Sequence, residues 1–249
     1  MTAETPAPPT DATPPGPGGV GDAWWFVDLS EAVRPGAQAR RMILGEPVLV
    51  GRTRAGEVFA LRDICPHRAA PLSAGRIVAH EGEGETVECP YHGWRFRPDG
   101  VCAAIPSLVE GDATDPSRIR VRAYPVVESH GLIFVRAAAD PNGRGTPDAA
   151  PPTFPGAEGR ARRVEVRTVD FGVDAVRAQM GAGDPGRKDG GEAGADAPGW
   201  LWAPGKGNAR RGPQLTCLTP LEATRTRVTR IRWSGPGRSA LDRLFVRRR

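Results

Sequence analysis

Two segments that begin alike, CPHRAAPLSAGRI at residues 65–77 and CPYHGWRFRPDGVCAAIPSL at residues 89–108, decide the fold. The first contains Cys65 and His67, and the second contains Cys89 and His92. The chain has only four cysteines and four histidines, so this placement is informative. Thiolate and neutral imidazole are both metal ligands. The two segments therefore predict a metal site that is built by two loops, each supplying one sulfur and one nitrogen.

The ligand types indicate which metal group these loops hold. Two Cys and two His also suit tetrahedral zinc, but the histidines of a zinc finger usually follow a Cys pair as His-x3-5-His on a helix. Here each loop mixes the two types, as in a [2Fe-2S] cluster with one iron on two Cys and the other on two His. A disulfide framework would suit a short secreted chain, and no export signal is seen here. The cluster is the favoured interpretation and zinc stays open.

The same two segments, with Gly93 and Trp94 following the second histidine, resemble the Rieske domain of the Rieske non-heme iron oxygenases, which hydroxylate rings or demethylate. The resemblance implies that the thiolates of Cys65 and Cys89 bind one iron of the cluster, and that His67 and His92 bind the other. It covers residues 24–137 well, 164–180 and 213–245 faintly, and the residues between these segments not at all.

The Rieske proteins of respiratory complexes resemble this chain less closely. Rieske proteins of respiratory complexes carry two further cysteines in these loops that form a disulfide, whereas this chain has Arg68, Ala69 and Tyr91 there. The resemblance therefore favours the oxygenase and ferredoxin branch.

The fold class predicted is mainly β. A small antiparallel Rieske β-domain with two cluster-binding loops is followed by a truncated α+β remnant of an oxygenase catalytic domain. Alternating apolar runs and turn residues predict strands, at 38–44, 47–54, 57–62, 94–97, 101–105, 119–124 and 132–136. Trp24 and Trp25 are predicted to start the domain by packing on its sheet. The segment PQLTCLTPLEATRTRVTRIRW (213–233) predicts two more strands with a break at 220–223.

Composition suggests the domain organisation. With 32 glycines and 26 prolines in 249 residues, part of the chain is expected to be linker or tail. The predicted divisions are a disordered Pro-rich N-terminus at 1–22, a Rieske domain at 23–137, a Pro/Gly linker at 138–160 and a shortened catalytic-domain-like region at 161–249. A low-complexity loop is predicted at 181–199 within the last.

The back half lacks the residues of a second iron site. The oxygenases bind a mononuclear iron through two His and one carboxylate, but no histidine follows His130 in this chain. The segment VDFGVDAVRAQMG (169–181) resembles the helix that carries the Asp-x-x-His ligands of that site. Asp174 stands at the acidic position, and Arg177 stands where the histidine would be. Because a guanidinium stays protonated and cannot bind iron, no mononuclear iron is expected.

The remaining cysteines and histidines are assigned ordinary roles. His80 lies in AHEGEGET (79–86), which predicts an exposed acidic loop. His130 is predicted to lie at a turn before an apolar strand. Cys102 and Cys217 lie in strand-like segments and are predicted to be buried as small hydrophobes.

Charge and hydropathy narrow the function classes. Residues 186–249 contain 14 Lys and Arg against five Asp and Glu, but no basic and aromatic motif of a nucleic-acid-binding module accompanies them. No apolar run approaches the length of a membrane span, and no leader is recognised. Nucleic-acid binding and membrane anchoring are not expected, and a cytoplasmic location is.

Three functions remain. The first is one-electron transfer by a Rieske cluster, with a reductase or ferredoxin as donor and an oxygenase component as a candidate acceptor. The second is an oxygenase subunit, hydroxylase- or demethylase-like, that is inactive or depends on a partner for its mononuclear iron. The third is a zinc-stabilised binding module that uses the basic tail.

Overall fold

The computed structural model describes residues 23–109, 111–137, 151–154, 156–182, 196–197, 199–203 and 213–234. The predicted N-terminal segment 1–22, and all of the predicted loop 181–199 except 181–182, 196–197 and 199, lie outside these residues. The strands of the described part are β1 (Ala23–Leu29), β2 (Gln38–Ile43), β3 (Glu46–Arg52), β4 (Val58–Arg62), β5 (Arg76–His80), β6 (Gly84–Glu88), β7 (Arg95–Phe96), β8 (Cys102–Ala104), β9 (Ala123–Tyr124), β10 (Val126–Ser129), β11 (Leu132–Ala137), β12 (Arg160–Val169), β13 (Asp196–Ala197), β14 (Trp200–Ala203), β15 (Gln214–Glu222) and β16 (Arg225–Ser234). The helix α1 spans Val173–Ala182.

The strands form antiparallel sheets, which confirms the mainly β prediction. Two four-stranded sheets, with the orders β2-β3-β4-β9 and β5-β6-β7-β8, carry the first half of the chain. A three-stranded sheet has the order β1-β11-β10, and a five-stranded sheet from the second half has the order β12-β16-β15-β14-β13. None of the helices in the described residues is long and apolar enough to cross a membrane.

The sheet of β1, β11 and β10 is buried on both faces. Successive side chains of a strand point to opposite sides, so Trp24 and Phe26 face the five-stranded sheet while Trp25 packs in the opposite cluster, with β2 to β4. Such two-sided burial explains why the segments Ala23–Leu29 and Leu132–Ala137 are nearly continuous apolar runs. The two adjacent tryptophans thus belong to two different cores.

The segment 151–160 joins these layers. Phe154 is fully buried and contacts Phe134 of β11 together with Trp200 and Trp233 of the five-stranded sheet. The predicted linker at 138–160 is thus packed where the structure describes it, at 151–154 and 156–160. Its residues 138–150 lie outside the described part, and the domain boundaries themselves stay predictions.

One loop prediction is wrong. Residues 79–86 form no exposed acidic loop but the end of a hairpin, in which His80 pairs with Gly84 and Val78 with Thr86. The physical reason is that Ile77 and Val87, which pair across the hairpin, are both buried in the apolar cluster of the cysteines, while the acidic side chains lie at and beside the turn.

Two strand predictions need correction. Residues 119–124 form a strand only at Ala123–Tyr124, with one isolated bridge between Arg120 and Val101. In the second half, β15 runs through the predicted break as far as Glu222. Pro220 is tolerated because it lies beside a register shift, and its carbonyl accepts a hydrogen bond from the Leu44 amide.

Candidate metal centre

The two predicted loops have the same backbone hydrogen bonds. In the first, the Cys65 amide donates to the Ala70 carbonyl and the Ala69 amide donates to the Cys65 carbonyl, each at 2.8 Å. In the second, the Cys89 amide donates to the Trp94 carbonyl at 2.8 Å, and the Gly93 amide donates to the Cys89 carbonyl at 3.1 Å. Each cysteine therefore opens a closed turn of the same size.

The two thiols meet on the buried side of these turns. Cys65 and Cys89 are 2% and 3% exposed and pack in one apolar cluster. Burial raises the pKa of the Cys65 thiol to about 11, and the adjacent Cys89 thiol raises it as well. The backbone amides of His67 and Arg68 donate to the Cys65 sulfur and oppose this shift. The amides are thus placed to stabilise negative charge on sulfur.

The two imidazoles meet on the exposed side. The ring centroids of His67 and His92 lie 4.6 Å apart, with 59° between the ring planes. Desolvation, and then the positive charges of His92 and Arg68, hold the pKa of His67 below its usual value. A neutral imidazole is the form that binds metal.

The four side chains thus form two pairs of like donors. Sulfur is beside sulfur in the core and nitrogen is beside nitrogen at the surface. Within the described ranges, no three His, Cys, Asp or Glu side chains gather closely enough to hold one ion. A group with two metal atoms, one facing each pair, matches this arrangement better than one tetrahedral ion, which draws four ligands to one point.

Two contacts that sequence reasoning missed hold the loops in place. The buried carboxylate of Asp63 accepts hydrogen bonds from the Ser73 amide and hydroxyl, both at 2.6 Å, which ties the end of the first segment to β4. Gly75 lies against the Glu88 carbonyl so closely that a Cβ atom there would be 1.9 Å from the oxygen. The first segment and the residue before Cys89 are therefore in direct backbone contact.

Two aromatic rings flank the imidazoles. The Trp94 ring stacks on His67 at 4.6 Å with 1° between the planes, and the Tyr91 ring lies 3.9 Å from His92. Tyr91 is itself 59% exposed. The sequence analysis assigned Trp94 to a strand, but the strand begins at Arg95 because the Trp94 carbonyl closes the loop.

The other candidate residues have ordinary structural environments. His80 is exposed. His130 lies in a turn, shares a hydrogen bond with the Ser129 hydroxyl at 2.7 Å, and its carbonyl accepts one from the Trp233 indole. Cys102 and Cys217 are buried as predicted, and burial raises the pKa of both thiols. Cys102 packs in the apolar cluster of Cys65 and Cys89 and bonds the Ala104 carbonyl.

The predicted remnant of the second iron site is a real helix. Asp174 and Arg177 lie one turn apart on α1, with Asp174 exposed and Arg177 half-buried. α1 packs against the core through Val173 and Val176.

Comparison with known proteins gives consistent results. Residues 23–125 match the Rieske [2Fe-2S] domain. The 4beta-methylsterol monooxygenase of Methylococcus capsulatus is 36% identical over 139 residues, which are 56% of this chain and 36% of that protein. The oxygenase component of dicamba O-demethylase from Stenotrophomonas maltophilia is 39% identical over 126 residues, 49% of this chain and 34% of that one. The chain thus spans about a third of the length of these curated relatives.

Solved structures extend the likeness beyond the first half. Apo dicamba monooxygenase superposes with a TM-score of 0.62 at 26% identity, covering 91% of this chain and 80% of that one. The oxygenase of carbazole 1,9a-dioxygenase, solved in a reduced complex with ferredoxin, superposes with a TM-score of 0.60 at 18% identity, covering 92% and 75%. The second likeness concerns the fold alone.

Proposed function

Since residues 23–125 form a Rieske [2Fe-2S] domain, we propose that this chain holds the cluster on Cys65, His67, Cys89 and His92 and transfers one electron at a time. The observation that carries the proposal is the pairing of two buried thiols beneath two exposed imidazoles. When bound, a Rieske cluster supplies one-electron chemistry at a potential of about −150 to +300 mV.

The residues of the chain fit such a group. The Cys65 sulfur already accepts hydrogen bonds from two backbone amides, which favour its thiolate form. The apolar cluster around Cys65 and Cys89 keeps water from the sulfur side. His67 and His92 reach the surface, so the nitrogen side is the edge through which an electron enters and leaves.

Ligand substitutions test this proposal. Cys65→Ser and His92→Ala each remove one of only two protein ligands of an iron, so both should abolish the cluster. Cys102→Ala is the matched control, because this thiol is equally buried but bonds the Ala104 carbonyl. The measurements are iron, acid-labile sulfide and the electron paramagnetic resonance spectrum of dithionite-treated protein.

The expected result is two irons and two sulfides in the parent chain and in Cys102→Ala, and neither in the ligand variants. A full Rieske-type spectrum in Cys65→Ser or His92→Ala would overturn the ligand assignment. Zinc without sulfide in the parent chain would favour the binding module with a basic tail.

A second candidate function is supported by the likeness to oxygenase structures over nine-tenths of this chain. In this alternative the chain is an oxygenase component, and its mononuclear iron is absent or is supplied by a partner chain. Arg177 occupies the position one turn after Asp174 where the resemblance implies a histidine. An iron count after anaerobic loading with Fe(II) tests whether this chain holds a mononuclear iron of its own. Two irons per chain are expected of both functions, and a third iron would show a complete oxygenase centre. Product formation only when a complete oxygenase partner is added would favour the second function.

The proposed function also implies partners. A carrier of this type needs a reductase or a ferredoxin as donor, and one of the structural neighbours was solved with a ferredoxin. An oxygenase component is the proposed acceptor. We also propose a cytoplasmic location for this carrier.

A further inference from the structure

A pocket of about 510 Å³ lies between the two halves of the chain, away from the two cysteine loops. Strands β1 and β2 form one wall, and strands β12, β15 and β16 form the other. Its volume is within the range of pockets that bind small molecules. None of its lining residues belongs to the segments 65–77 or 89–108, so it is a separate site.

The lining carries more positive than negative charge. Asp28 supplies the one carboxylate, and it is 2% exposed. The guanidiniums of Arg41 and Arg163 both bind this carboxylate. Arg227 also lines the pocket, half-buried, and has no carboxylate partner in the described part of the chain. Arg40, the fourth arginine of the lining, pairs with the Asp63 carboxylate outside the pocket. The other three guanidiniums therefore surround one lining carboxylate.

The positive charges of the lining repel one another. Burial lowers the pKa of Arg41, and the charges of Arg163 and Arg227 lower it further. These causes mean that the three guanidiniums repel one another. A second anion beside Arg227 would remove this repulsion. Arginine binds the planar oxyanions of a carboxylate through paired N–H donors.

The remaining lining residues are apolar or carry hydroxyls. Apolar side chains contribute part of the wall, among them Phe26, Met42 and Val166. The hydroxyls of Thr168 and Thr229 lie among the lining residues on the same sheet as Arg227. The lining thus combines cationic groups with an apolar surface, which suits a molecule that has both parts.

We propose that this pocket binds a small organic carboxylate, with the carboxylate on Arg227 and Arg163 and a compact apolar body against Phe26 and Val166. The site is independent of the electron-transfer function, because no cluster ligand lines it. Benzoate has both parts, whereas inorganic phosphate has the oxyanion alone.

Isothermal titration calorimetry on the full, cluster-loaded chain tests the proposal, with benzoate and inorganic phosphate as probes. We expect one saturable benzoate site per chain and weaker binding of phosphate. Arg227→Gln should weaken benzoate binding about tenfold, because a charge-assisted hydrogen bond is lost. Arg162→Gln is the matched control, since it removes the same charge from β12 outside the pocket.

A second variant, at Asp28, should strengthen benzoate binding. Asp28→Asn removes the carboxylate that competes for Arg41 and Arg163, so benzoate should bind several-fold more tightly. Absence of saturable benzoate binding at 10 mM would overturn the proposal, by the order of affinity expected of so small a ligand. Equal weakening in Arg227→Gln and Arg162→Gln would also overturn it, because net charge alone would then explain the binding. Tighter binding of phosphate than of benzoate would overturn the assignment of an organic ligand.

Discussion

Ala69 and Gly93 occupy the same position in the two cysteine loops. Both have left-handed backbone conformations, with φ of 54° and 68°, and both amides donate to the carbonyl of the cysteine four residues earlier. Glycine adopts this conformation at no steric cost, whereas alanine does so at a cost of about 1–2 kcal/mol. The second loop is thus better suited to its turn than the first.

Exchanging the two residue types should have unequal effects. Gly93→Ala should lower the free energy of unfolding by about 1–2 kcal/mol, because of the positive φ and because its Cβ would lie 3.3 Å from Pro106. Ala69→Gly relieves strain but raises the entropy of the unfolded chain, so its net effect should stay within about 1 kcal/mol. Urea unfolding followed by tryptophan fluorescence measures both. Equal destabilisation by the two changes would contradict this prediction, because the positive φ favours glycine at both positions.

Gly75 allows the first cysteine segment to lie against the residue before Cys89. A Cβ atom there would lie 1.9 Å from the Glu88 carbonyl oxygen, so one backbone must move. We expect Gly75→Ala to lower cluster content, because the displaced residue precedes Cys89 directly. Ala74→Ser adds an atom at the exposed neighbouring position and serves as control. Iron and sulfide counts provide the measurement, and unchanged counts in Gly75→Ala would contradict this role for the contact.

An ion pair joins the turn of the β5–β6 hairpin to β7, in addition to the pairing of β6 with β7. Glu83, in the turn, accepts two hydrogen bonds from the Arg95 guanidinium, at 2.7 and 2.5 Å. This hydrogen bonding holds the pKa of Glu83 below its usual value of 4.5. A carboxyl whose pKa is lower in the folded state stabilises the fold above its unfolded pKa. That contribution is lost as the pH falls through the folded value.

Glu83→Gln should therefore destabilise the chain near pH 7 and lose this effect in acid. The expected difference at pH 7 is about 0.5–1 kcal/mol, since the pair lies near the surface. It should shrink as the pH falls below 4.5. Urea midpoints at several pH values give the comparison, with Glu81→Gln from the same turn as control. A difference that is constant with pH would assign the effect to packing and not to charge.

At the scale of elements, sequence patterns predicted strands well where both ends carried turn residues. The hairpin of β3 and β4 and the two cysteine loops follow the prediction closely, since Arg54-Ala55-Gly56 and the Cys-Pro dipeptides mark their ends. The hairpin at 76–88 was missed because its strands are short and its Gly- and Glu-rich turn resembles a loop, so the pairing of Ile77 with Val87 leaves no clear pattern in the sequence. Pro220 was interpreted as a break because a single sequence does not reveal that a carbonyl partner and a register shift accommodate it.

At the scale of the molecule, the candidate site was predictable but its supports were not. Cys and His are rare in this chain and are residue types that bind metals, so their spacing alone predicted a candidate metal centre. Asp63, Gly75 and the pairing of Asp28 with Arg163 depend on contacts between residues distant in sequence. Ordinary residue types at such positions leave no local pattern. The same holds for Phe154, which was assigned to a linker on the basis of the prolines around it.

The layered packing makes the two halves of the chain one cooperative unit. The central sheet supplies Phe134 to the layer that Trp200 and Trp233 complete from the second half, and Phe154 contacts all three rings. Without the second half, Trp24 and Phe26 of β1 would be exposed to water. Unfolding of the five-stranded sheet should therefore destabilise the central sheet, whose other face packs against β2 to β4.

Phe154→Ala measures this coupling. Removing a fully buried ring should cost about 3–5 kcal/mol, whereas Phe171→Ala, at a side chain that is 61% exposed, should cost less than about 0.5 kcal/mol. The visible absorbance of the cluster reports on the first half, and tryptophan fluorescence on both halves. In one cooperative unit, Phe154→Ala shifts both signals to the same lower urea concentration, because the loss of packing on the central sheet is transmitted through β2 to β4 to the cysteine loops. If only the fluorescence midpoint moved, the halves would unfold independently, and the Rieske domain would be stable without the packing of its central sheet.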